Sequence, residues 1–175
     1  MPNHSDVTSI WEIERKFLVG TMPFDLEHYA HERIRQGYLA YTDDGTEVRV
    51  RHKGDRFFQT VKRGIGLRRI EVELALSREQ FEALWPLTEG KRLEKVRYAI
   101  PYDDLTIEVD VYLGALEGLK TAEVEFASVE RSEGFQPPSW FEREITGEAG
   151  YRNRSLAMHG LPEDEAHGRR ANGNE

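Results

Sequence analysis

Residues 10–19 read Ile-Trp-Glu-Ile-Glu-Arg-Lys-Phe-Leu-Val. Polar and apolar side chains alternate along this stretch with a period of two, which indicates a β-strand. Because residues i and i+2 of a strand share a face, Glu12, Glu14 and Lys16 lie on one side, with successive members about 6.5–7 Å apart. The opposite side carries Ile13 and its apolar neighbours. The stretch therefore predicts a strand with one charged and one apolar face.

The same alternation recurs in seven further segments, so we predict eight strands in series. Short links containing Asp and Gly, such as Asp43-Asp44-Gly45 and Lys53-Gly54-Asp55, are typical of hairpin turns. These links predict that neighbouring strands run antiparallel. The predicted strands are Trp11–Val19, Gln36–Tyr41, Glu47–His52, Arg56–Lys62, Arg69–Leu76, Arg92–Ile100, Leu105–Tyr112 and Leu119–Phe126.

Helices are few. Ser77 is a good N-cap, and Gln80 stands at the position that completes a capping box. A helix is therefore predicted to begin after Ser77. Two further short helices are predicted at Ser128–Glu133 and Arg152–His159.

Composition limits the classes of function. The 175 residues carry a net charge of −8, which argues against a nucleic-acid partner, because binding to that backbone needs a basic face. Cysteine is absent, which excludes disulfides and thiolate chemistry. No apolar run is long enough to cross a membrane, and the start lacks an apolar signal region, so we expect a cytoplasmic protein with no membrane partner. We expect a flexible N-terminus at 1–9, one domain at 10–160 and a disordered polar tail at 161–175.

The charged strand faces carry both acids and bases. For any one strand, a solvated face on an antiparallel sheet is the simpler interpretation. Seven of the eight strands share the pattern, however, and this favours closure into a barrel with a charged face turned inward. Buried charges are costly unless they are paired or coordinated. Carboxylates bind hard cations and Lys and Arg bind phosphate oxygens, so such a lumen suits a polyanion with its metal ions.

The order of these charged motifs resembles the CYTH superfamily of triphosphate tunnel metalloenzymes. The N-terminal signature of that family, Glu-x-Glu-x-Lys, is matched at Glu12, Glu14 and Lys16. The resemblance covers roughly Ile10 to His159. It continues at Arg35–Leu39, Val48–Arg51, Lys62, Arg69–Glu73, Arg92–Tyr98, Glu108–Tyr112, Glu123–Phe126 and Tyr151–Ala157.

The resemblance implies a mainly β (α+β) fold, a closed eight-stranded antiparallel tunnel barrel with a few short helices and a C-terminal plug helix. It implies one or two Mg²⁺ or Mn²⁺ ions, held by Glu12, Glu14, Glu108, Asp110, Glu123 and Glu125. It implies catalytic roles for Glu12, Glu14, Lys16 and Glu125. The residues that it implies for binding substrate are Lys16, Arg35, Arg49, Arg51, Lys62, Arg69, Lys95, Arg97, Arg152 and Arg154.

Within this family the chain looks most like the short bacterial inorganic triphosphatases. We therefore expect metal-dependent hydrolysis of a small-molecule triphosphate, foremost inorganic tripolyphosphate to pyrophosphate and phosphate. The alternatives are a class IV adenylyl cyclase, a thiamine triphosphatase, and a non-catalytic module that binds polyphosphate or a nucleotide such as ATP. These alternatives differ in their products, since only a cyclase releases a cyclic nucleotide and a binding module releases nothing.

Overall fold

Nine strands form one antiparallel sheet in the computed structural model, which describes residues 11–64 and 67–163. Three short α-helices and four single-turn 3₁₀ segments connect the strands. The helices are α1 (Arg78–Leu84), α2 (Val129–Gly134) and α3 (Asn153–His159). The strands are β1 (Trp11–Val19), β2 (Ala30–Tyr41), β3 (Glu47–Lys53), β4 (Arg56–Arg63), β5 (Arg68–Leu76), β6 (Arg92–Tyr102), β7 (Leu105–Tyr112), β8 (Lys120–Glu125) and β9 (Phe141–Glu144).

The sheet closes on itself. Its strand order is β5-β4-β3-β2-β6-β7-β8-β1, and β1 returns to β5 through pairs such as Glu12 with Arg69. Further along β1, β9 pairs in place of β5, with Phe17 opposite Glu144. The predicted eight-stranded barrel is therefore confirmed, and β9 is an addition that sequence periodicity missed. Four residues after a Pro-Pro pair are too few to display an alternating pattern.

The apolar faces of the strands point outward and are covered from outside the barrel. Segments before and after α2 cover one side, where Phe135, Trp140 and Phe141 pack against β1, β6, β7 and β8. Helix α1 covers another side, where Phe81 packs against Val50 and Phe57. The hydrophobic core thus lies around the barrel wall, and the charged faces are left to line the interior.

Helix α1 begins as the capping box predicts. The Ser77 hydroxyl accepts a hydrogen bond from the Gln80 amide at 3.2 Å, and the Gln80 side chain accepts one from the Ser77 amide at 2.8 Å. Together they satisfy two of the donors that a helix N-terminus leaves unpaired. The other two predicted helices are also present, as α2 and α3.

Strand β2 is longer than its sequence pattern predicts. It begins at Ala30 rather than Gln36, and its first half pairs with β6 from Ala30 opposite Ala99 to Arg35 opposite Glu94. No helix within the described residues is long and apolar enough to cross a membrane. The predicted flexible N-terminus, and the predicted tail beyond residue 163, lie outside the described residues. Leu161, at the start of that tail, packs against the cluster that contains Leu156.

Candidate active site in the barrel interior

The barrel encloses a charged cavity of about 530 Å³. Every barrel strand contributes side chains to its wall, and residues 145–154 contribute from the C-terminal segment. The cavity brings together most of the residues that the sequence singled out. These are Glu12, Glu14, Lys16, Arg49, Arg51, Lys62, Arg69, Lys95, Arg97, Glu108, Glu123, Glu125, Arg152 and Arg154.

Acidic side chains gather on three adjacent strands, β1, β7 and β8. The register places Glu14 of β1 opposite Glu125 of β8, and Glu123 of β8 opposite Glu108 of β7. Directly opposed residues of an antiparallel pair have Cβ atoms about 4.5–5.5 Å apart, so these carboxylates repel one another unless cations intervene. The arrangement concentrates negative charge on one side of the cavity.

Basic side chains from the other strands reach toward those acids. Lys62 lies 2.8 Å from Glu12 and 2.5 Å from Glu71. Arg69 lies 3.3 Å from Glu12 and also pairs with Glu14. The strands of the wall therefore carry a network of ion pairs, in which Lys62 and Arg69 are already compensated by carboxylates.

Strand β6 carries two more cations, Lys95 and Arg97, whose side chains form ion pairs with acids of β7 and β8. Lys16 pairs with Glu123 at 3.0 Å, and Arg97 pairs with Glu123 at 2.5 Å. Burial by itself raises the pKa of Glu123, but Lys16 and Arg97 hold that pKa well below its usual range. Burial lowers the pKa of Lys95 to about 8, although the neighbouring Asp110 charge opposes this shift. Glu123 is thus held ionised by its cationic partners.

Two acids have raised pKa values. Burial raises the pKa of Glu12 to about 7, against the opposing charge of Lys62. Burial and the nearby carboxylates of Glu108 and Glu14 raise the pKa of Glu125. Within residues 11–64 and 67–163, Glu125 forms neither an ion pair nor a side-chain hydrogen bond. The Glu125 carboxylate therefore lies where negative charge is undercompensated, which is where a divalent cation would gain most.

The donor chemistry of this acidic side fits a hard cation, because it supplies only carboxylate oxygens. In the described part of the chain, however, no three acids already stand together as a metal site. The ion pairs supply the reason, since Arg69 reaches between Glu12 and Glu14. Metal binding would require such cations to turn away from the carboxylates.

Three arginines of the cavity present buried donors that have no hydrogen-bond partner among the described residues, and Arg35, outside the cavity, presents a fourth. The Nε atoms of Arg49, Arg51 and Arg69 are buried and lack a hydrogen-bond acceptor among the described residues. A buried unsatisfied donor costs free energy, and most native structures avoid it. All three arginines line the cavity, so a polyanion inside it could accept these hydrogen bonds.

Two of the predicted site residues do not line the cavity. Arg35 lies on the outer face of β2, with its guanidinium 4.9 Å from the centre of the Trp85 ring and 3.4 Å from Glu94. The inner face of β2 instead carries Ile34, Gln36 and Tyr38, all fully buried. Because side chains alternate along a strand, Arg35 points away from the barrel interior and cannot reach a ligand there.

Asp110 is the second. It points inward but is completely buried below the cavity surface. Its Oδ2 atom lies 2.5 Å from Lys95 Nζ, and Arg97 donates to both of its oxygens at 2.7 Å. With both oxygens engaged, Asp110 serves to hold Lys95 and Arg97, and the metal role expected for it has no support in this arrangement.

Sequence reasoning gave no role to Glu71, which lines the cavity, or to Glu73, which lies beside it on the same face of β5. Glu71 pairs with Lys62 and lies 4.0 Å from Arg49, and Glu73 pairs with Arg51 and accepts a hydrogen bond from Thr60 at 2.9 Å. The sequence does contain a signal for both acids, because its period-two alternation places them on the same strand face as Arg69. Their partners, however, lie on other strands, which periodicity does not reveal.

The chain also has close relatives of known description. A family model described as the CYTH domain matches residues 11–153. An inorganic triphosphatase of Nitrosomonas europaea is 46% identical over 149 residues, which cover 84% of this chain and 97% of that protein. An inorganic triphosphatase of Acetivibrio thermocellus is 37% identical over 148 residues, covering 83% and 92%. The crystal structure of an inorganic triphosphatase matches with a TM-score of 0.65 and 41% identity, covering 86% of this chain and 97% of that one. The eight-stranded barrel, its charged interior and these matches agree, and the chain belongs to the CYTH family.

Proposed function

We propose that the protein hydrolyses inorganic triphosphate to pyrophosphate and phosphate, with the help of divalent metal ions, inside the barrel. The observation that carries the proposal is an enclosed cavity that combines a cluster of acids on β1, β7 and β8 with Lys and Arg side chains, three of whose buried arginine Nε donors lack an acceptor among the described residues. Two relatives that align with nearly their whole length are named inorganic triphosphatases, which supports the same reaction.

The basic wall would bind the phosphate chain. Arginine offers several donors in a fixed plane that suits phosphate oxygens, and lysine offers a compact charge. Cations on five strands, β1, β3, β4, β5 and β6, can contact successive phosphoryl groups of one linear polyanion. The residues proposed for this role are Lys16, Arg49, Arg51, Lys62, Arg69, Lys95 and Arg97, with Arg152 and Arg154 contributing from the C-terminal segment.

The acidic wall would hold the metal. The residues proposed as ligands are Glu12, Glu14, Glu108, Glu123 and Glu125, on β1, β7 and β8. We propose Mg²⁺ or Mn²⁺, which prefer oxygen ligands. A divalent cation held there supplies charge neutralisation and Lewis acidity at the phosphate oxygens.

The protein's own contribution to the reaction is positioning and electrostatics. Phosphoryl transfer needs the attacking and leaving oxygens held in line and the charge on the transferred group offset. The basic side chains supply that offset in a site from which bulk water is partly excluded. Glu125, which has no ion-pair partner within the described residues, is suited to orient the attacking water.

The character of the wall favours an inorganic substrate. The lining side chains are mostly charged, and no pair of aromatic rings is placed in the described part of the cavity to sandwich a base. A nucleoside would gain little from such a wall, and it would lose conformational entropy when held in one pose. We therefore expect higher kcat/KM for tripolyphosphate than for ATP or thiamine triphosphate.

A product assay tests the proposal. The protein is incubated with tripolyphosphate, thiamine triphosphate or ATP at one concentration of Mg²⁺ or Mn²⁺, and the products are separated by ion chromatography. The expected products from tripolyphosphate are equal amounts of pyrophosphate and phosphate. Preferred turnover of ATP to cyclic AMP and pyrophosphate would replace hydrolysis by cyclisation, and binding without turnover would show a binding module.

A further inference from the structure

One buried hydrogen bond joins the barrel wall to the first residue of the C-terminal helix. The hydroxyl of Tyr112, at the end of β7, donates to Asn153 Oδ1 at 2.6 Å. Tyr112 is 1% exposed, and burial raises its pKa to about 12, so the hydroxyl keeps the proton that it donates. The phenol thus fixes the orientation of the Asn153 side chain, which itself lines the cavity.

Asn153 stands between two cavity arginines that are themselves only loosely held. Arg152 donates to the Gly147 carbonyl at 3.3 Å, and the Arg154 guanidinium lies 4.8 Å from the centre of the Tyr41 ring. Neither arginine forms an ion pair with any residue that the structure describes. Their placement therefore depends on the backbone that carries them rather than on partners of their own.

Polar and apolar contacts attach that backbone to the wall. Lys16 Nζ donates to the Tyr151 carbonyl at 3.2 Å, and Leu156 packs in the same cluster as Tyr112 and Tyr151. Helix α3 has only seven residues, which is too short to be stable without such contacts. A side-chain bond at its first residue has a correspondingly large effect on where its first turn lies.

We propose that the hydrogen bond between Tyr112 and Asn153 positions Arg152 and Arg154 for contact with the polyphosphate. The two bonded residues are positioning residues, and they act through the arginines on either side of Asn153. The inference rests on the proposed function for its substrate, but the bond and its effect on the C-terminal segment can be measured without substrate.

The kinetic test uses Tyr112→Phe, which removes the hydroxyl and keeps the ring in its cluster. We expect KM for tripolyphosphate to rise roughly 3- to 10-fold, the equivalent of one hydrogen bond, with kcat changed little. The same substitution should have no effect on KM in an Arg152→Ala/Arg154→Ala background, because nothing is left to position. The matched control is Tyr98→Phe, which removes a hydroxyl bonded to Glu27 at 3.2 Å on the outer surface.

An equal rise in KM in both backgrounds would mean that Tyr112 acts elsewhere, and an unchanged KM would overturn the inference outright. Asn153→Ala provides a second variant at a half-exposed position, in case Tyr112→Phe is poorly folded. It should match Tyr112→Phe, and the double variant should be no worse than either one.

A second measurement needs no substrate. Trypsin cleaves after arginine, so its rate of cleavage after Arg152 and Arg154 reports how firmly this segment is held. We expect faster cleavage there in Tyr112→Phe and Asn153→Ala than in the wild type or Tyr98→Phe. If wild-type protein fails to hydrolyse tripolyphosphate, the proposed function fails while cleavage still tests the bond. Unchanged cleavage in both variants would overturn the bond's role.

Discussion

Lys62 Nζ lies 3.0 Å from Oε1 and 2.8 Å from Oε2 of Glu12, so one ammonium is shared by both oxygens of the carboxylate. The same ammonium contacts Glu71 at 2.5 Å. A phosphate that approaches Lys62 must therefore compete with two carboxylates. A divalent cation that engages the Glu12 carboxylate would free Lys62 for phosphate, so metal and triphosphate should strengthen each other's binding.

Metal removal is the first test of this relationship. Turnover of tripolyphosphate should vanish in excess chelator and return when Mg²⁺ or Mn²⁺ is restored. The affinity for tripolyphosphate, measured by calorimetry, should also be lower in chelator, because the carboxylates then keep their hold on the lysines and arginines. Turnover that persists at the same rate in chelator would exclude the proposed metal role.

The second prediction concerns Glu125, an exposed acid without an ion-pair partner in the described part of the chain. Glu125→Gln should lower the apparent metal affinity by roughly 10-fold or more and reduce turnover most at limiting metal. The melting temperature should change little, because the change breaks no ion pair. Glu82→Gln, at an exposed position of α1, is the control and should leave metal dependence unchanged. Normal activity of Glu125→Gln at limiting metal would mean that this carboxylate is only a solvated charge.

The third prediction compares two arginines of the cavity. Arg97 belongs to a buried network of ion pairs, whereas Arg154 forms no ion pair with any described residue. Arg97→Ala would leave Asp110, which is fully buried, with Lys95 as its remaining cation. Removing one partner of a buried ionic network costs about 3–5 kcal/mol, so the free energy of unfolding should fall by that order. Arg154→Ala breaks no ion pair and should change stability by less than about 0.5 kcal/mol while raising KM.

Denaturant unfolding and steady-state kinetics on the two variants check this contrast. Equal stability losses would show that burial of Asp110 does not depend on Arg97. A normal KM for Arg154→Ala would remove Arg154 from the proposed phosphate contacts.

The fourth prediction follows from the raised pKa of Glu12. Its pKa in the folded protein is about 7, above the ordinary 4.5, so the folded state binds more protons than the unfolded state between these values. In chelator, its contribution to stability is therefore complete below pH 4.5 and is lost as pH rises to 7, with a slope of at most about 1.4 kcal/mol per pH unit. Glu12→Gln should remove this component of the pH dependence.

Denaturant unfolding at a series of pH values, with wild type and Glu12→Gln side by side, measures the effect. Saturating Mg²⁺ should oppose the loss in the wild type alone, because metal binds the ionised carboxylate and releases the proton. Identical pH profiles for the two proteins would show that Glu12 does not titrate in this range.

Much of the fold could be predicted because alternation is a local property. All eight predicted strands occur, and Ser77 and Gln80 cap α1 as expected. The sequence predicts the inner face of β1 because the charged residues Glu12, Glu14 and Lys16 all occupy positions that face inward. On β2 the charged residues occupy the opposite positions, since Arg33 and Arg35 face outward while Ile34 faces inward. Arg35 was assigned to the site by the resemblance to the CYTH superfamily, and the alternation of side chains along β2 places it outside the barrel.

By itself, the sequence determined which residues share a strand face and that the charged faces carry both signs, because side-chain direction alternates along any strand. Only the tertiary structure decided which acid meets which base. Strand register and barrel closure bring Lys62 to Glu12 and Arg97 to Asp110, and they bury Asp110 while leaving Glu125 exposed. Those pairings join residues that are 50 and 13 positions apart in the chain and lie on different strands. Coulomb interactions follow distance and burial in space rather than position in the chain.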